Sequence, residues 1–198
     1  MARYLPDAAD DPLAADVLRF WFGVPPEYGT RLKRWFAKES AFDARCGRFL
    51  PLYEEIAGGA RVAWLERGAE CLARIVVLDQ FPRNIFRGTA RAFTADALAL
   101  EAARHALAEG YDRGLSAVER MFAYLPFEHS ESLEDQERAC ALSAPLAVYA
   151  ETEDAHRYAV AHRDIIARFG RFPHRNAALG RPSTLEELAF LKQPGSAF

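Results

Sequence analysis

Residues 69–80, which read AECLARIVVLDQ, are apolar on almost every side when drawn as a helix. A helix that is apolar all round must be buried, because no face of it favours contact with water. This segment therefore predicts a buried helix. Phe81 precedes Pro82, and proline disfavours helical backbone in the residue before it, so we expect this helix to end at Phe81.

Helical spacing extends along nearly the whole chain. Asp11 and Pro12 form an N-cap and first-turn pair for a helix that ends at Gly23. Ser116 and Glu119 have the spacing of a capping box. Further helices are expected to begin at residues 34–36, Thr94, Ser132, Thr152 and Ser183 or Thr184, with bends at Pro51 and Pro145 and a break at Pro126. Because no segment shows convincing strand alternation, we expect an all-α protein of about eight helices.

The size and charge of the chain limit its class and partners. A chain of 198 residues fits one helical domain covering residues 1–198, and a hydrophobic content of 51% supplies its core. A net charge of -3 gives no reason to expect nucleic acid or an anionic membrane as a partner. No stretch approaches the roughly 20 apolar residues of a membrane span, and the N-terminus has no apolar signal core.

The cysteines indicate a reducing compartment. Cys46, Cys71 and Cys140 are odd in number, far apart and without CxxC spacing. This pattern fits thiols that act as small apolar residues in a reduced protein. We therefore expect a cytoplasmic location.

Positive charge is concentrated in residues 162–181, where five arginines oppose one aspartate. Arginine forks hold carboxylates and phosphates. Gly170 and Pro173 interrupt the segment, so it reads as a helix that runs into a turn rich in arginine and histidine. Asp164 and Arg168 are four residues apart and can pair on this helix. Such a segment can be an anion site, a catalytic site or a structural latch.

Two further segments place polar groups beside apolar runs. In residues 79–87, Asp79 lies four residues after Ile75 and shares its face, so it is expected to be partly buried and to need a cationic partner. Either Arg83 or an arginine of the basic segment can supply that partner. In residues 128–131 two glutamates flank a histidine, and these groups serve acid–base chemistry or bind transition metals.

We expect residues 79–87, 128–131 and 162–176 to converge on a polar pocket for a small, polar, anionic molecule. The expected ligand-binding residues are Asp79, Arg83, Asn84, Arg171, Arg175 and Asn176. The expected acid–base residues of a catalytic site are Glu128, His129 and His174. His162 falls on the apolar face of its helix and is expected to point inward. No cofactor is specified by the sequence, and no metal site is assigned, because the histidines lack local ligand spacing.

Six segments, taken together, resemble the bacterial domain-of-unknown-function 924 family. They are VLRFWFG at 17–23, RWF at 34–36, LDQFPRNIFRG at 78–88, LPFEHSE at 125–131, HRDIIARFGRFPHRN at 162–176 and LGRPST at 179–184. The resemblance covers nearly the whole chain, and its motifs are long and in order. It implies a tetratricopeptide-like fold, an α-α superhelix of antiparallel helical hairpins. It implies no established activity.

Several alternatives to a small-molecule pocket stay open. The acidic residues of 128–137 and the basic residues of 162–181 can neutralise one another in a structural network of ion pairs. A tetratricopeptide-like fold can instead be a scaffold that binds a protein or peptide, although this rests on fold analogy. Glu128, His129, Glu131 and a distant histidine can form a metal-assisted hydrolase, and the aromatic runs 20–22 and 35–36 can form a stacking platform. The sequence leaves open whether the chain is an enzyme and what its oligomeric state is.

Overall fold

The protein is all-helical in the part of the chain that the structure, a computed structural model, describes: residues 4–30, 35 and 39–196. The helices are α1 (Pro12–Phe22), α2 (Ser40–Cys46), α3 (Leu50–Ala57), α4 (Gly68–Ile85), α5 (Asp96–Ala108), α6 (Ala117–Glu128), α7 (Leu133–Ser143), α8 (Ala155–Phe169) and α9 (Leu185–Phe190). Short 3₁₀ turns join many of them, and these described ranges contain no strand, so the all-α class is confirmed. Arg34 and Phe36, expected to begin the second helix, lie outside the described residues.

The central element is α4, as its composition predicts. It packs against α1, α2, α3, α5 and α6. Four consecutive residues project in different directions around the helix, and all four are fully buried: Ile75, Val76, Val77 and Leu78. Neither α4 nor any other helix within the described ranges is long and apolar enough to cross a membrane.

The prediction that this helix ends at Phe81 was wrong, because α4 continues through Pro82 to Ile85. Proline has no N–H and cannot complete the helical hydrogen bond to the carbonyl four residues earlier. Side chains bond the next two carbonyls along the helix. Arg83 Nη1 donates to the Asp79 carbonyl at 2.7 Å, and Asn84 Nδ2 donates to the Gln80 carbonyl at 2.9 Å. The helix therefore passes the proline with polar side chains supporting its last turns.

The predicted break at Pro126 was also wrong. Helix α6 contains Pro126 and ends at Glu128. Glu128 therefore lies on the last turn of a helix, and His129 is its C-cap residue. The rigid helix, rather than a loop, fixes the position of the Glu128 side chain.

Helix starts with complete capping chemistry were predicted correctly. Asp11 accepts a hydrogen bond from the Leu13 N–H at 2.8 Å. Ser116 and Glu119 form a full capping box at the start of α6, and Thr184 and Glu187 form another at the start of α9.

Starts and bends inferred from a lone hydroxyl or proline were less accurate. Helix α5 begins at Asp96 and α8 at Ala155, while the hydroxyls of Thr94 and Thr152 donate to carbonyls instead of capping. Ser132 occupies the N-cap position of α7 without a side-chain capping bond. Pro51 lies in the first turn of α3, after the short turn Gly47–Phe49 that separates it from α2. The 3₁₀ turn Ala144–Val148, which contains Pro145, follows α7.

The described residues of the aromatic runs, 20–22 and 35, belong to the core rather than to an exposed platform. Trp21 is fully buried, and its ring packs against Phe42, Phe81 and Phe122 at centroid distances of 5.8, 5.8 and 5.4 Å. Trp35 Nε1 donates to the Trp21 carbonyl at 2.8 Å. The alternative of a stacking platform for a ligand ring therefore finds no support in these contacts.

Consecutive helices pack on one another from α4 to α8. This order of contacts is compatible with a stack of helical hairpins. The tetratricopeptide-like superhelix stays a prediction.

Asp11 has a larger role than an ordinary N-cap. Besides Leu13, its carboxylate accepts from Trp64 Nε1 at 2.8 Å and from Arg61 Nη1 at 3.2 Å. It thus ties the start of α1 to the 3₁₀ turn Val62–Glu66.

We expect Asp11→Ala to lower the free energy of unfolding by about 2 kcal/mol, because a cap and a partly buried hydrogen bond are lost together. Urea denaturation measures the change. The matched control is Asp16→Ala on the same helix, which removes an exposed pair with Arg48 and should change stability by less than about 0.5 kcal/mol. Equal losses in the two variants would contradict the role assigned to Asp11.

Candidate functional site

A cluster of polar side chains joins all three segments singled out in the sequence. Asp79 comes from the buried helix α4, and His129 follows α6. His129 Nδ1 lies 2.7 Å from Asp79 Oδ1. Arg175, in the 3₁₀ turn Pro173–Arg175, donates from Nη1 to the His129 carbonyl at 3.0 Å.

Asp79 and His129 form an oriented carboxylate–imidazole pair. Asp79 is 1% exposed, and burial alone would raise its pKa, but Arg83 and His129 hold that pKa at about 2. Burial and the charge of Arg83 lower the pKa of His129, against the opposing effect of Asp79. At neutral pH the pair is therefore a carboxylate and a neutral imidazole. Because an ionised carboxylate only accepts, Nδ1 of His129 carries the proton and its Nε2 offers the lone pair.

Two arginines meet one further carboxylate, that of Asp96. Arg83 grips Asp96 with both terminal nitrogens, at 2.8 and 3.0 Å, and its Nη1 also lies 3.2 Å from Asp79 Oδ1. Arg175 Nη1 contacts Asp96 Oδ2 at 3.2 Å. Burial and the nearby Arg83 lower the pKa of Arg175 to about 10, which still leaves it charged at neutral pH. Two cations and two carboxylates thus balance in charge.

The Arg175 guanidinium is held between two aromatic rings. Its central carbon lies 4.7 Å from the ring centroid of Phe93 and 4.4 Å from that of Phe172. The buried Nε has no hydrogen-bond partner among the described residues. Stacking of this kind orients a desolvated cation without neutralising it.

Glu128 is a buried acid that keeps its proton. It is 3% exposed, and burial together with the charge of Asp79 raises its pKa to about 8. His162 Nδ1 lies 3.5 Å from its Oε2 and 2.8 Å from the Tyr158 carbonyl. Burial, with the neighbouring His129, lowers the pKa of His162 to about 3. A protonated acid therefore lies beside a neutral imidazole.

His174 is a third neutral imidazole near the cluster. Burial and the charge of Arg175 lower its pKa to about 4. Its ring centroid lies 5.5 Å from that of Phe172, which in turn lies 5.6 Å from the ring of His162.

Comparison with known proteins identifies the family of this chain. The family model described as "Bacterial protein of unknown function (DUF924)" matches residues 17–195. The chain belongs to the DUF924 family. The solved structure of a protein of unknown function from Agrobacterium tumefaciens is similar, with 41% identity and a TM-score of 0.81 over 91% of this chain and 97% of that one. No curated protein matches the chain.

Some residues expected at the site of this DUF924 chain make their described contacts elsewhere. Arg171 forks Glu187 at 2.7 and 2.8 Å. Asn176 bonds Ser183 and accepts from Arg181, and Asn84 bonds a carbonyl of its own helix and accepts from Arg87. These contacts support the fold around the cluster.

The basic stretch also acts as a latch, as one alternative predicts. Arg181 forks Glu131 at 2.7 and 2.9 Å, and Glu131 accepts from the Phe172 N–H at 2.8 Å. Asp164 pairs with Arg163 at 2.6 Å, while Arg168 pairs with Glu186, so the expected pairing of Asp164 with Arg168 was wrong. Each of the five arginines in residues 162–181 has a carboxylate partner.

Two surface cavities lie away from the cluster. One, of about 250 Å³, lies between α8 and α9 and is lined by Ile165, Phe169 and Phe190 among others. The other, of about 280 Å³, is lined by residues of α1 and α3. The polar pocket therefore stays a prediction. Within the described residues no group of three or more His, Cys, Asp or Glu side chains is arranged to hold a metal ion, so the metal-assisted alternative gains no support.

Asp96 was missed by the sequence reasoning, and His162 was placed inward without a role. Asp96 lies in the first turn of α5, where the helix dipole alone explains an acid. Its partners Arg83 and Arg175 are 13 and 79 residues away along the chain. No local pattern signals such a contact.

We expect the stability of the protein to fall by up to about 2 kcal/mol as the pH rises from about 6.5 to 8. Folded Glu128 keeps its proton up to a pKa of about 8, against 4.5 for an ordinary glutamate, so the folded state binds more protons than the unfolded state in this range. Below about 6.5 the buried histidines act in the opposite direction, because their folded pKa values are lowered from 6.5. Urea denaturation across this pH range measures the slope.

Glu128→Gln mimics the protonated acid and should remove most of that slope. The matched control is Glu119→Gln, because burial raises the pKa of Glu119 only to about 7, against an opposing hydrogen bond from Ser116. Glu119→Gln should therefore change only the part of the stability slope that lies below pH 7. A wild-type slope that persists in Glu128→Gln would show that Glu128 does not hold its proton in the folded protein.

Proposed function

We propose that this DUF924 protein binds a small, polar, anionic molecule at the cluster of Asp79, Arg83, His129 and Arg175. The observation that carries the proposal is the buried Asp79–His129 pair, 2.7 Å apart, set against the buried Arg175 and the partly buried Arg83. Arginine supplies charge and directional donors for a carboxylate or phosphate. The oriented imidazole supplies a lone pair at the same place.

The acid–base groups beside this pair extend the proposal to proton transfer on the bound molecule. Glu128 holds a proton at neutral pH, whereas His129 presents an unprotonated Nε2. One group can donate a proton and the other can accept one, which is the division of roles used in general acid–base catalysis. Perturbed pKa values cluster at functional sites for this reason.

A purely structural role accounts for only part of the cluster. The Arg171–Glu187 and Arg181–Glu131 pairs hold the basic stretch against the rest of the protein. Buried ion pairs are poor stabilisers, and apolar replacements are often neutral or stabilising by about 1–4 kcal/mol. Stability alone therefore gives no reason to bury Asp79, Arg83 and Arg175 together with a protonated Glu128.

The compartment proposed for this protein is the cytoplasm. Cys46, Cys71 and Cys140 are all free and buried. Free thiols of this kind suit a reducing compartment. The peptide-binding scaffold and the metal-assisted hydrolase remain alternatives that no specific contact among the described residues favours.

A thermal-shift screen of small carboxylates, phosphate esters and divalent metal salts tests the proposed function. A ligand present at a hundred times its dissociation constant stabilises the folded protein by about 2.7 kcal/mol. Arg175→Lys keeps the charge but loses the planar fork. We therefore expect its dissociation constant for the anion that stabilises the wild type to rise at least tenfold.

The matched control for this screen is Arg157→Ala, which removes an exposed arginine paired with Asp154. It should respond like the wild type. Each shift is referred to the variant's own melting temperature, because loss of a buried arginine also changes stability. The proposal is wrong if no anion in the panel stabilises the wild type, or if Arg175→Lys and Arg157→Ala respond alike.

A further inference from the structure

The carboxylate of Asp96 is held in the way that proteins hold a bound carboxylate ligand. Arg83 forks both of its oxygens at 2.8 and 3.0 Å. A second guanidinium, from Arg175, contacts one of the same oxygens at 3.2 Å. Bidentate gripping by one arginine with support from another is a geometry for recognising a planar anion.

Asp96 enters this seat from a different side than the arginines. Arg83 comes from the central helix and Arg175 from the turn after α8, whereas Asp96 lies in the first turn of α5. The side chains of Asp96 and Arg83 are 21% and 17% exposed, against 7% for Arg175. Solvent therefore reaches the side chains of Asp96 and Arg83, whereas Arg175 is buried.

We propose that Asp96 occupies the seat of a ligand carboxylate, and that a carboxylic acid ligand binds by exchanging with it. The inference rests on the proposed function and names the class of its ligand. Asp96 is then a built-in competitor that fills the arginine pair when no ligand is present.

An exchange of one carboxylate for another fits the electrostatics of the cluster. During the exchange the two arginines always have an anion beside them, and loss of that anion would be costly for the buried guanidinium of Arg175. Once released, the Asp96 carboxylate stays in the first turn of α5, where the helix dipole favours a negative charge. Arg175 also offers a second donor to a ligand, because its Nε has no hydrogen-bond partner among the described residues and Asp96 contacts only Nη1 there.

Chemical rescue of Asp96→Ala by formate tests the inference. Removing Asp96 leaves the arginine pair without its carboxylate, so the melting temperature should fall by roughly 5 °C or more. Sodium formate should then raise the melting temperature by about 3–5 °C for each tenfold increase in formate concentration above its dissociation constant. Sodium chloride at the same ionic strength should not.

The control variant is Asp164→Ala, which removes an exposed carboxylate that pairs with Arg163. Formate should affect it no more than it affects the wild type. Inorganic phosphate in place of formate distinguishes the ligand classes: stronger rescue by phosphate than by formate would overturn the assignment of a carboxylate.

Asp96→Ser is a second variant in case Asp96→Ala does not fold, because serine supports a helix start. If neither variant folds in dilute buffer, recovery of the helical circular-dichroism signal in formate, and not in chloride, is the expected result. The inference is wrong if formate restores neither variant selectively. The proposed function fails separately, when no anion stabilises the wild type, so the two failures can be told apart.

Discussion

The architecture of this protein depends on one buried charge, the carboxylate of Asp79 in the central helix. An ionised carboxylate that is 1% exposed must be compensated by partners within the fold. Its partners are Arg83, one turn further along the same helix, and His129, at the end of α6. Arg175 then binds the His129 carbonyl and shares Asp96 with Arg83. A network that begins at one charge in the core thus links four elements: α4, α5, the end of α6 and the turn after α8.

The arginines of the basic stretch divide between surface ion pairs and the buried cluster. Arg171 and Arg181 hold Glu187 and Glu131 near the surface and fasten the turn after α8. Arg175, between them, points inward between two phenylalanine rings. The Arg171–Glu187 and Arg181–Glu131 pairs fix the backbone of the turn, so the side chain of Arg175 is held in one orientation. The ion pairs of Arg171 and Arg181 and the buried cluster around Arg175 are therefore connected through the same turn.

The sequence predicts those features whose physical cause is local. The burial of α4 follows from its apolar faces, and that of Asp79 from its helical spacing to Ile75. The capping boxes at Ser116 and Thr184 follow from pairs of residues three positions apart. The three segments of the cluster stand out because charged and polar residues lie beside apolar runs. Pairings such as Asp79 with His129 join residues 50 positions apart, and periodicity carries no information on them. The helix end predicted from Pro82 was wrong, because tertiary packing and side-chain hydrogen bonds outweigh the local tendency of a proline to end a helix.

Helix α4 has two roles, because it forms the centre of the core and also carries residues of the polar cluster. This helix contributes Asp79 and Arg83 to the cluster, while its other faces pack against five neighbouring helices. A substitution on α4 that changes the polar cluster therefore also disturbs the packing of the core. Asp96 is different, because it lies in the first turn of α5 and its side chain is partly exposed. A substitution at Asp96 therefore changes the charge of the cluster with less effect on the core than a substitution at Asp79.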